Sequence, residues 1–116
     1  MLPDGWQRIG VDLKRTTGHT LQLVWNDDVG LCEVAVDGTN SGGFGINFGD
    51  DEMVIAEIAD RLQEWGLDEL IWGGWPTCPR HHTHPLRATV DGGRAVWTCP
   101  SDSITVALIG SLTELG

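Results

Sequence analysis

The stretch from Trp75 to Pro100, WPTCPRHHTHPLRATVDGGRAVWTCP, constrains this chain most, because it gathers two of the three cysteines, three of the four histidines and two of the six tryptophans. Cys78 and His81 form a C-x-x-H turn shaped by Pro79, a spacing at which both side chains can face one point. His84 follows within a turn. The Asp91-Gly92-Gly93 turn folds Arg94 to Cys99 back along Leu86 to Val90, which cancels the sequence distance between Cys99 and His84. Cys78, His81, His84 and Cys99 therefore make a candidate set of soft and borderline donors, the kind that suits tetrahedral Zn2+. His82 competes with His81 for one place. Two other readings stay open: a reduced cysteine pair beside solvated histidines with no metal, and a Cys78–Cys99 disulfide, which a reducing compartment disfavours.

Charge narrows the partners. Seven Lys plus Arg against 17 Asp plus Glu give a formal net charge of -10, so phosphate backbones and anionic lipid surfaces would repel the chain. Zinc held by two thiolates is close to neutral and would not reverse that balance. A protein partner, basic in character, fits better than nucleic acid or membrane. Three cysteines cannot all pair within one chain, and the opening MLPDGWQR lacks the basic segment and apolar run of a secretory signal. The expected compartment is the cytoplasm.

Hydrophobic periodicity predicts an α+β fold. Ile9, Val11 and Leu13 alternate, Leu21, Leu23 and Trp25 alternate again, and Thr16 to His19 is turn material, so a β-hairpin is expected there. Leu31 to Val36 supplies a third strand of an antiparallel meander. Phe44, Ile46 and Phe48 supply a fourth, with the polar Asp37 to Gly43 segment as the loop between them. From Asp50 the period lengthens: Val54, Ile55, Ile58, Leu62 and Trp65 mark one main amphipathic helix, with Asp50, Asp51 and Glu52 at its positive end and Gly66 as its stop. Leu70, Ile71 and Trp72 are compatible with a strand or a helical turn. A second hairpin, 86–90 against 94–99, and a last strand over Ile104 to Ile109 complete a C-terminal ribbon-like unit. The 116 residues are read as one domain, with the meander and helix over 1–66 and the ribbon-like subregion over 72–112.

The C-terminal pattern W-P-x-C-P-x-H…H-P-L…W-x-C-P is carried here by Trp75, Pro76, Cys78, Pro79, His81, His84, Pro85, Leu86, Trp97, Cys99 and Pro100. It resembles a pattern found in small, uncharacterised actinobacterial and phage-borne proteins. The likeness extends loosely upstream through Gln63-Glu64-Trp65 and downstream to Ile109-Gly110-Ser111-Leu112, about the last half of the chain. It implies a zinc-ribbon-like site in which His81 and His84, rather than His82, are the histidine ligands. It implies no biochemical activity.

Two function classes follow. Four protein ligands would close the zinc shell and make the metal structural, leaving the protein to act through its surface as an adaptor, a phage accessory factor or an inhibitor of the immunity-protein kind. Three ligands would leave a position for a water, giving a zinc-dependent hydrolase with Asp102 or Asp91 as base. No H-E-x-x-H arrangement supports the second class, and two thiolates are more usual in closed sites. Elsewhere, His19 is expected as an exposed turn residue and Cys32 as a buried apolar one. Trp72 and Trp75 are either core or an exposed aromatic patch. The glycines from Gly42 to Gly49 match no phosphate-binding loop.

Overall fold

The first element departs from that reading. In a computed structural model of the chain, which describes residues 2–3, 5–47, 49–65, 75–79 and 84–112, Gln7–Thr17 is an α-helix, α1. Alternation at Ile9, Val11 and Leu13 suggests a strand, but the buried residues are Ile9, Asp12 and Leu13, spaced as one face of a helix, while Val11 is 39% exposed. A carboxylate at a core position hides the helical period. Lys14 and Arg15 in the last turn complement the negative end of the helix dipole.

Three strands follow, β1 (Leu21–Asn26), β2 (Leu31–Val36) and β3 (Thr39–Phe44), paired antiparallel in that order. The meander is present, but its strands are not all those expected. Thr39 to Gly43, read as loop, belongs to β3, and only Asp37 and Gly38 turn the chain. Gly43 is required here because a Cβ would lie 2.8 Å from the Cys32 carbonyl oxygen. Ile46 comes after the strand, and Phe48 lies outside the described residues.

The predicted helix is α2, Asp51–Trp65, with Val54, Ile55, Ile58 and Leu62 buried. The Asp50 carboxylate accepts the Met53 N–H at 3.1 Å, capping the first turn. The Trp65 side chain, Gly66 and the Leu70 to Trp72 segment are outside the described part. The second hairpin is formed by β4 (Arg87–Asp91) and β5 (Arg94–Thr98), and β6 (Thr105–Leu108) adds to β5, all antiparallel. α2 packs on β4 and β5, and α1 packs on β1. Buried side chains from both helices and both sheets form one continuous cluster, giving an α+β architecture. No helix among the described residues is long and apolar enough to cross a membrane.

One buried charge ties the ends of the chain together. Asp12 is fully buried, and its Oδ2 accepts from Trp97 Nε1 at 2.7 Å and from the Gly110 N–H at 2.6 Å. Its Oδ1 accepts the Leu112 N–H at 2.9 Å. Three donors thus compensate the desolvation of one carboxylate. A Cβ on Gly110, at φ +105°, would meet Arg8 Cβ at 2.8 Å, so the C-terminal segment can lie this close to α1 only as glycine.

A second polar tie joins α1, α2 and β5. Arg8 donates to both Glu52 oxygens at 3.0 Å each, and Glu52 Oε1 also accepts the Ala95 N–H at 3.0 Å. The Arg8 hydrogen bonds, followed by that of Ala95, hold the Glu52 carboxyl below the ordinary glutamate range.

Two outcomes are expected. Asp12→Ala leaves three donors without their acceptor and should lower the unfolding free energy by about 3–5 kcal/mol, measured by urea titration. Because the Glu52 pKa is depressed on folding, its ionised form contributes stability above the ordinary glutamate pKa that is lost as pH falls through the folded value. Glu52→Gln should therefore be less stable than the parent at neutral pH, with the difference shrinking below about pH 4 in acid titrations of unfolding.

Candidate metal centre

The site is built at the mouth of the β4–β5 hairpin. Thr77 and Pro85 form an isolated antiparallel bridge, with the Leu86 N–H donating to the Pro76 carbonyl at 2.6 Å and the Cys78 N–H donating to the His84 carbonyl at 3.0 Å. This short pairing sets Cys78 opposite His84. Arg87 pairs with Thr98 in the hairpin, so Cys99 emerges beside the same mouth. Cys78 Sγ, a His84 ring nitrogen and Cys99 Sγ all lie within 4.8 Å of one another and could hold a metal ion.

The spacing and the donors fit one. His84 Nε2 stands 3.9 Å from Cys99 Sγ, against roughly 3.6 Å for a ligand–ligand edge of a tetrahedral zinc site with its usual bond lengths. His84 Nδ1 lies 3.2 Å from the Pro85 carbonyl oxygen; with the proton on Nδ1 donated there, the Nε2 lone pair is left for a metal. Ser101 Oγ is 3.2 Å from the same Nε2. Both cysteines are fully buried and neither is in a disulfide.

Cys99 begins a tight turn, its N–H bonded to the Ile104 carbonyl at 2.9 Å and its carbonyl accepting the Ser103 N–H at 2.8 Å. Burial raises the thiol pKa most, and the backbone N–H groups of Ser101 and Asp102 act the other way by bonding to the sulfur. Amides aimed at a thiolate are what a metal-bound cysteine needs around it.

Both limbs of the loop are anchored from outside. Gln63 of α2 donates its Nε2 to the Trp75 carbonyl at 2.9 Å and to the Leu86 carbonyl at 2.6 Å. Trp75 donates its Nε1 to Thr16 Oγ1 of α1 at 2.7 Å and meets Trp97 edge to face, with ring centroids 5.3 Å apart. Trp75, only 4% exposed, is core rather than surface patch, and Trp72 lies outside the described residues.

Of the predicted ligands, the structure brings together Cys78, His84 and Cys99. His81 and its competitor His82 lie outside the described residues. Asp91 sits at the turn end of the hairpin, where it accepts from Thr105 Oγ1 at 3.1 Å, and it lines the same cavity as Cys99. Asp102 belongs to the Cys99 turn, and its side chain bonds to the Cys99 thiol and favours the protonated form. Sequence reasoning missed Gln63 and Ser101 as neighbours of the site; a lone amide and a lone hydroxyl carry no spacing signal.

Cys32 is separate: it is buried in β2, and desolvation pushes its thiol up to about 11. His19, at the end of α1, sets Nδ1 2.6 Å from Asp37 Oδ2.

Comparison of the chain with protein-family models, with curated proteins and with solved structures finds no match.

Gln63→Leu removes the bond that aligns both limbs and should weaken metal affinity about tenfold or more in competition with a chromophoric chelator. Native protein at pH 8 should leave Cys32 unmodified by iodoacetamide under conditions that alkylate it fully in urea, as read by peptide mass spectrometry.

Proposed function

We propose that this chain is a small acidic zinc-binding protein whose metal is structural and whose work is to bind another protein. The convergence of Cys78 Sγ, His84 and Cys99 Sγ within 4.8 Å carries this reading. His81, three residues beyond Cys78, is the fourth ligand, since the C-x-x-H spacing suits a shared metal and the resemblance of the C-terminal pattern favours it over His82. Two thiolates and two imidazoles close a tetrahedral shell, which leaves no position for a reacting water. Zinc is the ion that such a mixed sulfur and nitrogen set prefers in a tetrahedral site.

The net charge of -10 supports a partner with a basic surface and opposes nucleic acid and anionic membrane. An adaptor or an inhibitor covering a basic protein surface, working in the cytoplasm, is the class that fits. The metal serves by fixing the hairpin mouth on which the C-terminal sheet is mounted.

Elemental analysis of protein purified without added metal should give one zinc per chain. Chelation should lower the unfolding free energy by about 3 kcal/mol, a fall in Tm of roughly 10–20 °C for a chain of this size. Cys78→Ser and Cys99→Ser should abolish zinc retention, His81→Ala should weaken it strongly, and His82→Ala should leave it unchanged. Metal-free protein whose melting is indifferent to chelator would refute the proposal.

A further inference from the structure

A cavity of about 160 Å3 lies away from the hairpin mouth, where α1, α2, the start of β5 and the turn after β6 meet; Arg8, Glu52, Arg94 and Ser111 line it. Two of the chain's seven cationic side chains converge there, in a protein of net charge -10. Glu52 does not use up this charge. Its oxygens are occupied by Arg8 Nη1, Arg8 Nη2 and the Ala95 N–H, each at 3.0 Å, so one carboxylate stands against two guanidinium groups. Arg8 Nε is buried and has no hydrogen-bond partner, although a guanidinium N–H out of contact with water is costly to leave unpaired. The Arg94 side chain makes no hydrogen bond or ion pair among the described residues and acts on Glu52 only through space. The Ser111 hydroxyl adds a donor at the rim. The backbone here is held firmly: Gly110 is pinned to Asp12 through its N–H at 2.6 Å, and its carbonyl accepts from Arg15 Nη1 at 3.4 Å.

We propose that this cavity is a binding site for a small oxyanion, a phosphate or a carboxylate group, received by Arg94, the exposed edge of the Arg8 guanidinium and Ser111. Guanidinium donors match the oxygens of both groups, and a site of this size takes one such group rather than a chain of them. The protein's overall negative charge repels an anion at long range. Binding therefore rests on short-range bonds, and a monovalent halide, which cannot accept from several fixed donors at once, is not an equivalent ligand. The inference is independent of the metal reading, because no ligand of the hairpin mouth takes part.

The test is a nitrogen-15 NMR titration of the purified full chain with inorganic phosphate, with acetate and with chloride at matched ionic strength. Phosphate or acetate should shift the Arg8 Nε–H resonance and the backbone amides of Arg94, Ala95 and Ser111 saturably, with half-saturation in the low millimolar range or tighter. Whichever of the two saturates identifies the group. Arg94→Gln, at a side chain with no structural bond to lose, should weaken the response at least about tenfold while leaving the remaining spectrum in place. Ser111→Ala should weaken it less. The proposal is overturned if neither oxyanion gives a saturable shift, if chloride reproduces the shifts, or if Arg94→Gln leaves them unaltered.

Discussion

Asp12 is a carboxylate with no access to solvent, and it holds together parts of the chain that lie 85 to 100 residues apart: α1 on one side, Trp97 of β5 and the segment through Leu112 on the other. An uncompensated charge at that depth would be untenable. Its three donors therefore specify where the C-terminal sheet sits against the first helix. Trp97, so oriented, presents the edge-to-face partner for Trp75, and Trp75 is bonded in turn to Thr16 of the same helix. The limb that carries Cys78 is thus positioned by a chain of contacts that begins at Asp12.

α2 supplies the complementary constraint. Its buried face of Val54, Ile55, Ile58 and Leu62 belongs to the common core, and at its end Gln63 grips both limbs of the hairpin mouth through the Trp75 and Leu86 carbonyls. Cys78, His84 and Cys99 are brought together by backbone pairing and by two helices, so these three donors converge without a metal to gather them. Such preorganisation suits a structural ion better than a transient one.

The candidate site was legible because its chemistry is concentrated. Two Cys-Pro dipeptides flanking a histidine-bearing segment and an Asp-Gly-Gly turn are enough to bring Cys99 back to His84, and β4 and β5 pair as that turn demands. The α+β class and the start of α2 were legible for a different reason, a clear change of period at Asp50. The N-terminal region was not. Ile9, Val11 and Leu13 satisfy the strand period by coincidence, while the residue that completes the helical face is the polar Asp12, whose partners lie at the far end of the sequence. β3 was obscured by Gly42 and Gly43, which read as loop; Gly43 is there because the Cys32 carbonyl leaves no room for a side chain. Both misreadings come from tertiary contacts overriding local pattern.

On the proposed function, the hairpin mouth is a closed metal site and binding belongs to the surface it supports. Zinc-edge X-ray absorption of the purified protein tests this most directly, since it counts the ligand atoms around the ion. A closed site gives two sulfurs and two nitrogens at zinc-typical distances with no oxygen. A water or carboxylate oxygen in the shell, or a shell with fewer than two sulfurs, would contradict it.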